Sequence, residues 1–411
     1  MTAAERIAPQ PWMTEPATRA VLDALAAGGA EAMFVGGSVR DALLGAPIAD
    51  IDIATPAAPE RVIELLQQRD IKAVPTGIAH GTVTAIVPPR HFEITTLRRD
   101  VETFGRRARV AFDAGWAEDA ARRDFTMNAI FLAPDGRIVD PVGGLADLQA
   151  GRVRFVGDPA ARIAEDVLRL LRYYRFEARF GQGEGDQAAR AACRDAVPLL
   201  PTLSSERIAQ ELMRLLTLLD PVRGLKMIQE DGVLAAILPE AGRLDRLDRL
   251  MRLEPEPDPL RRLAALVEVD AAGAAALAER LRLSNAWRDR LVGLAPPWLL
   301  DPAADQRQQR LAIYRLGEAR YRDLALLLAA EGLIQQSRLI ELLALLHWKP
   351  PAFLLSGHDV TALGVPPGPR VGRLLSEVRR WWEEGDFAAD RSGCLARLKM
   401  LVTALPHRGR D

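Results

Sequence analysis

Lysine is almost missing from this 411-residue chain: four lysines, at positions 72, 226, 349 and 399, stand among 54 basic residues, so arginine carries nearly all the positive charge. No charge of either sign dominates. The formal net charge is −1, which excludes a generally basic coat for nucleic acid and leaves any such surface to a local patch. Arginine suits phosphate forks and base edges, although genome composition explains the same bias. Cysteine is scarce too. Cys193 and Cys394 lie far apart in helical Ala/Leu/Arg contexts, so free, idle thiols are expected rather than a disulfide or a metal site. No apolar run approaches the roughly 20 residues a bilayer requires. The opening MTAAERIAPQ lacks the basic-then-apolar order of a secretory signal, so the cytoplasm is the expected location. The remaining composition, 49% hydrophobic and 27% charged, is that of a soluble globular protein. Its length predicts two to four domains rather than one core.

What is present concentrates in one stretch, Met33 to Ile53. An apolar strand (Ala32 to Val35) leads through the Gly36-Gly37 turn into a short helix (Ser38 to Leu44), and a second, edge strand follows with Asp50 and Asp52. Two residues apart on a strand, both carboxylates leave one face while Ile51 and Ile53 point to a core. Paired carboxylates repel each other, and a divalent cation between them relieves the repulsion. The glycine turn ahead of a helix start offers backbone N–H groups to an anion, with Arg40 one turn further in. A phosphate cradle beside a cation-binding acid pair suggests nucleotidyl transfer.

The string G-G-x-V-R-D-x-L-L-G-x-x-x-x-D-x-D over Gly36 to Asp52 resembles the first motif of the polymerase-β-like nucleotidyltransferases. The resemblance lies with the branch that holds the bacterial-type CCA-adding tRNA nucleotidyltransferases and the poly(A) polymerases. Three further strings carry it along the chain. Arg122-Arg123-Asp124-Phe125-Thr126 with Asn128-Ala129 is similar to the second family motif, and Asp140-Pro-Val-Gly-Gly-Leu-Ala-Asp147 to the string that closes the head. Glu165-Asp166-Val167-Leu168-Arg169 is similar to the nucleotide-selecting motif. His80-Gly81-Thr82-Val83-Thr84 resembles the CCA-adding enzymes more than the poly(A) polymerases.

The second motif, taken as a helix, places Asp124 and Asn128 one turn apart on one face. Arg123 can fork onto a triphosphate, and Asp124 and Asn128 offer hydrogen bonds to a ribose. In the segment Asp158 to Phe176, Pro159 marks a helix start. Ile163, Val167, Leu170, Leu171 and Tyr174 recur at helical spacing as a buried stripe. Asp166, Arg169, Arg172 and Arg175 fall three apart on another face. The arginines outnumber the one aspartate, and the surplus calls for an anion. Cytosine and adenine each present an amine donor beside a ring-nitrogen acceptor, and a carboxylate next to a guanidinium complements that edge. Guanine and uracil present the opposite order, at a cost of about 1–3 kcal/mol per lost contact. Asp166 and Arg169 are thereby predicted to select C and A without a nucleic-acid template.

The resemblance implies an α+β chain. Its N-terminal nucleotidyltransferase head has a small mixed sheet flanked by helices (1–150). A helical neck carries the nucleotide-selecting segment (151–240), and an all-α body and tail hold tRNA (241–411). It implies addition of C, C and A to a tRNA 3′ end from CTP and ATP, with Mg2+ on Asp50 and Asp52. Nucleotide contacts would come from Gly36, Gly37, Ser38, Arg40, Arg123, Asp124, Asn128, Asp166, Arg169, Arg172 and Arg175. The alternatives are a poly(A) polymerase, a CC-only or A-only enzyme and, last, a non-catalytic RNA binder.

Elsewhere, residues 12 to 29 and Pro59 to Arg69 read as helices. Ile71 to Val74, Thr82 to Val87 and Phe92 to Thr96 read as strands, the last two as a hairpin through Pro88 to His91. The polar, arginine-rich run Leu97 to Trp116 reads as a surface loop, in the place where the family has a flexible one. Phe131 to Val139 reads as a small hairpin turning at Pro134-Asp135-Gly136. From about Ala178 the pattern is helical throughout. Ser204-Ser-Glu-Arg-Ile-Ala-Gln-Glu-Leu212 opens a capped helix and resembles a further family string. Arg379-Arg380-Trp381-Trp382 reads as part of an amphipathic core helix, and His358-Asp359 as a turn capping a helix.

Overall fold

The computed structural model of the chain describes residues 5–48, 50–104 and 107–404, with 100–104 and 107–110 as backbone alone. It divides into two compact units, Met1–Ala241 and Gly242–Asp411.

The first unit opens with α1 (Pro11–Thr14) and α2 (Pro16–Ala27). One continuous helix was expected here. Glu15, ahead of Pro16, is instead extended at φ −53°, ψ 144°, because the proline ring crowds an α conformation in the residue before it. α2 ends at Gly28, where a Cβ would lie 2.2 Å from a Leu65 methyl, so the glycine permits the close approach of the helix Pro59–Gln67.

β1 (Met33–Val35), α3 (Gly37–Leu43), β2 (Ile51–Thr55) and α4 (Pro59–Gln67) follow, then β3 (Lys72–Gly77), β4 (Thr82–Val87) and β5 (Arg90–Thr96). The sheet order is β3-β4-β5-β2-β1, continued by two short strands named below. β2 pairs antiparallel with β1 and parallel with β5, so the sheet is mixed. β2 therefore lies in the middle of the sheet, not at the expected edge. Ile51 and Ile53 are fully buried, as their alternation requires. Asp50 sits just before the strand and is exposed.

Beyond β5 the expected loop is a second, two-stranded sheet, β6 (Arg99–Phe104) with β7 (Arg107–Ala111). Ladder hydrogen bonds need no apolar face, and the arginine-rich composition concealed them. Positions 105 and 106 of that expected loop lie outside the described residues.

α5 (Trp116–Ala121) leads to a single 3₁₀ turn at Thr126–Asn128, then to β8 (Phe131–Leu132) and β9 (Ile138–Val139), which complete the main sheet beside β1. α6 (Gly144–Gln149) starts against that 3₁₀ turn: a Cβ on Gly144 would stand 2.0 Å from the Thr126 carbonyl oxygen. After α7 (Pro159–Glu165) and α8 (Leu168–Phe180) come α9 (Gln187–Asp195), α10 (Ser205–Leu216), α11 (Val222–Glu230) and α12 (Val233–Ile237). Phe125 packs on Phe155 at 4.9 Å and on Phe176 at 4.7 Å between ring centroids, and Phe155 stacks on Tyr173 at 5.7 Å. Such pairs contribute about 0.5–1.5 kcal/mol each beyond their buried area. They pin the turn after α5 to α8.

The regular elements of the second unit, among its described residues, are all helices, from Leu244–Leu253 to Arg391–Thr403. Trp382 is buried at its core with Val378, Cys394 and Leu398. Asp359 caps the helix Gly357–Thr361 by accepting from the Ser356 N–H at 2.7 Å. No helix among the described residues is long and apolar enough to cross a membrane.

Candidate active site

The site lies in the first unit, on the face of the central strand opposite Ile51 and Ile53. Asp52 stands in register with Glu93 of β5. Burial first, then the charges of Glu93 and Asp50, push its carboxyl up to about 6, while Arg123 opposes them. Glu93 escaped the sequence reading. It stands between the buried Phe92 and Ile94, and only the parallel pairing of β2 with β5 brings it beside Asp52.

Gly36 stands beside Asp52 at φ +73°, where a Cβ would lie 3.4 Å from Asp52 Oδ2 and 3.9 Å from Arg123 Nη1. Gly36→Ala should cost about 1–3 kcal/mol in backbone strain alone. It also places a methyl group between acid and guanidinium. Incorporation at least about tenfold slower alongside a lowered melting temperature is the expected result; unaltered kinetics would contradict the placement of Gly36.

Carboxylate oxygens are hard donors suited to a divalent cation such as Mg2+, and at Asp52 the charges of Glu93 and Asp50 add to the cost of burial. The residues present fit such an ion. Among the described residues, however, no group of three or more His, Cys, Asp or Glu side chains is already drawn together as a ligand set.

The second motif reaches this site through Arg123, though not as the helix expected. α5 ends at Ala121, and Asp124 lies in the extended link before the 3₁₀ turn. The buried Asp119 of α5 takes Arg122 at 2.5 Å and Arg123 at 2.8 Å. Burial would raise the Asp119 carboxyl, but those two guanidinium groups hold it below the usual range. Its spacing of three and four from the two arginines was legible as a helix pairing.

Asp124 Oδ1 accepts from Asn128 Nδ2 at 3.0 Å and from the Phe125 N–H at 2.8 Å. Arg172 Nε donates to Oδ2 at 2.9 Å. Asn128 Oδ1 in turn accepts from Arg40 Nη1 at 2.7 Å. Arg40 faces inward, between the rings of Phe176 and Phe180 at 5.3 and 4.4 Å, and is 6% exposed. Ser38 also turns inward, donating to the Val35 carbonyl at 3.0 Å. These two side chains brace the turn around Gly36 and Gly37 from behind.

The predicted base-reading pair does not share one helix. α7 ends at Glu165, Asp166 is extended at φ −151°, ψ 103°, and α8 starts at Leu168. No proline or glycine marks this break. Asp166 makes it by accepting from the Leu168 N–H at 3.2 Å, as caps do. Arg169 is held by Glu165 at 2.5 Å and donates to the Arg122 carbonyl at 3.2 Å. The surplus arginines find carboxylates within the protein: Arg172 pairs with Asp124, and Arg175 with Glu211 at 2.7 Å. Gly36, Gly37, Arg40, Asp52, Arg123, Asp124, Asn128 and Arg172 thus form one connected cluster. Arg169 joins it through residue 122, Asp166 adjoins Arg169 along the chain, and Arg175 reaches α10 instead.

Residues 32–154 match the family model of the poly A polymerase head domain. Residues 186–244 match that of the probable RNA and SrmB-binding site of polymerase A. The chain is 36% identical to a CCA-adding enzyme of Lacticaseibacillus paracasei, covering 90% of this chain and 92% of that protein. It is 33% identical to the mitochondrial CCA tRNA nucleotidyltransferase 1 of Mus musculus, covering 90% and 86% respectively. The fold superposes with a TM-score of 0.77 on the Bacillus stearothermophilus CCA-adding enzyme in complex with CTP, at 28% identity over 96% of this chain and 98% of that one. With Asp52, the glycine turn and the second motif gathered at one place, the chain belongs to the family of CCA-adding tRNA nucleotidyltransferases.

Proposed function

We propose that this protein adds C, C and A to the 3′ end of tRNA from CTP and ATP without a nucleic-acid template, releasing pyrophosphate at each step. One contact supports this reading above the others: Arg169 donates to the carbonyl of Arg122, one residue from the guanidinium beside Gly36 and Asp52. The segment suited to read a base edge is thereby tied to the pocket suited to hold a triphosphate.

In this reading Arg123 and the backbone at Gly36 and Gly37 hold the triphosphate, while Ser38 and Arg40 keep that turn rigid. Asp124 and Asn128 face the ribose. Asp166 accepts from the exocyclic amine and Arg169 donates to the ring nitrogen, with Arg172 and Arg175 bracing that segment through Asp124 and Glu211. The tRNA 3′ oxygen forms a bond to the α-phosphorus and the bond to the bridging oxygen breaks. Asp50 and Asp52 would hold Mg2+, which when bound lowers the cost of ionising the 3′ hydroxyl and of releasing pyrophosphate.

Residues 1–150 would then be the catalytic head, 151–240 the neck and 241–411 the tRNA-holding body and tail, working in the cytoplasm. Incubation of tRNA lacking its 3′ end with labelled CTP and ATP should give three ordered additions and then a stop. An open-ended A tail would identify a poly(A) polymerase instead, and a product halted at CC a CC-only enzyme.

A further inference from the structure

α10 presents two opposite charges, Arg207 and Glu211, four residues apart and so on one helix face, to the segment that reads the base. Arg207 Nη2 donates to Asp166 Oδ2 at 2.8 Å, and Glu211 accepts from Arg175 Nε at 2.7 Å. Both ends are shielded: the Arg207 and Asp166 side chains are 17% and 26% exposed, and Glu211 is buried.

Asp166 sits in an interruption between two helices. The first N–H of α8, that of Leu168, supplies one anchor, on Oδ1. Arg207 supplies the other. Arg169 is anchored from different directions, by Glu165 and by the Arg122 carbonyl. The spacing between acceptor and donor therefore depends on two independent mounts, one on the head and one on α10.

We propose that Arg207 is a specificity-positioning residue: by fixing the Asp166 carboxylate relative to the Arg169 guanidinium, it sets the width of the edge that cytosine and adenine match and that uracil and guanine do not. This rests on the reading of Asp166 and Arg169 as the base-selecting pair. A carboxylate oxygen that already accepts from Arg207 keeps lone-pair capacity for a base amine, so the contact orients Asp166 without blocking it. With Arg207 removed, the carboxylate can rotate about its side-chain torsions, and an amine no longer finds it at a fixed distance from Arg169. Correct nucleotides lose their bidentate match while incorrect ones lose nothing.

The test is nucleotide discrimination by the full chain, measured as kcat/KM for CTP and ATP against UTP and GTP on tRNA lacking its 3′ end. Arg207→Ala should lower discrimination between about fivefold and a hundredfold, the range of one misaligned base contact. The KM for tRNA should stay as in the parent, and Arg207→Lys should restore part of the discrimination. In an Asp166→Ala background, removing Arg207 should have little further effect, because a residue acting through another is not additive with it.

Full discrimination by Arg207→Ala would overturn the proposal, as would an additive loss in the double variant. A raised KM for tRNA with unchanged nucleotide choice would overturn it too, since that marks an RNA contact. Equal losses for all four nucleotides, with a lowered melting temperature, would mark a purely structural role and do the same. Should Asp166→Ala itself discriminate like the parent, the base-selecting reading would fall and this inference with it. If only Asp166→Ala relaxes selection, that reading stands and Arg207 alone is wrongly placed.

Discussion

Asp52→Asn should abolish nucleotide incorporation, by about a thousandfold or more, and at the same time make the protein more stable at neutral pH in the absence of a divalent ion. The first effect follows from the role proposed for Asp52: an anionic ligand to a catalytic cation would carry several kcal/mol of transition-state stabilisation, each 1.4 kcal/mol being tenfold in rate. The second follows from linkage. Burial first, then Glu93 and Asp50, raise the Asp52 carboxyl to about 6 from the ordinary 3.8. The folded protein therefore binds this proton more tightly than the unfolded chain does. Its contribution to stability is fully present below about pH 4 and is lost as the pH rises through about 6, so at pH 7 the ionised group is a cost. After allowance for solvent screening, that cost is of the order of 1–2 kcal/mol. The amide carries no charge and escapes it. Denaturant titrations of parent and variant between pH 4 and 8, with and without Mg2+, provide the measurement. The parent should lose stability across the window and regain it with Mg2+, and the variant should do neither. Parallel curves for the two proteins would show that no charge conflict exists at Asp52.

The direction of Asp52 and the glycine turn were legible because their constraints are local: two-residue alternation settles which way Asp52 and Ile53 face, and a positive φ at residue 36 calls for glycine. The sequence could not reveal that β2 is central. Strand order depends on the parallel pairing with β5, and with it comes Glu93. The direction of Arg40 was hidden for the same reason, since the Phe176 and Phe180 rings that enclose it come from α8, far along the chain. The break at Asp166 is subtler. Glu165-Asp166-Val167 contains no helix breaker, and the periodic Leu, Tyr and Arg residues on either side suggest one helix. What interrupts it is a cap made by Asp166 itself and secured by Arg207 from α10, a tertiary interaction that outweighs local propensity. The pairing of Arg172 and Arg175 with Asp124 and Glu211 likewise depends on neighbours that helical spacing does not reveal.

Asp124→Ala should cost about 3–5 kcal/mol of folding stability, the penalty for leaving a largely buried charge without its partner. Asp124 is the hub between the glycine turn and α8. One oxygen accepts from Phe125 N–H and Asn128, the other from Arg172, and Asn128 passes the connection to Arg40. Burial would push its carboxyl up, yet Arg172 together with these hydrogen bonds holds it at about 2, and Asp124 is in turn what raises the Arg172 guanidinium. A depressed carboxyl has the opposite sign to Asp52. Its contribution is present above the unfolded value near 4 and is lost as the pH falls toward 2. The parent should therefore weaken steeply between pH 4 and 2, and the variant, which starts lower, should weaken less. Arg172→Ala in the same chain should recover part of the loss, because the double variant buries neither charge. Equilibrium unfolding of the parent, both single variants and the double variant at pH 7 and pH 3 closes the cycle. Additive single losses, or a parent whose stability does not change between those two pH values, would mean that Asp124 and Arg172 are merely neighbours, and that the turn around Gly36 is held without them.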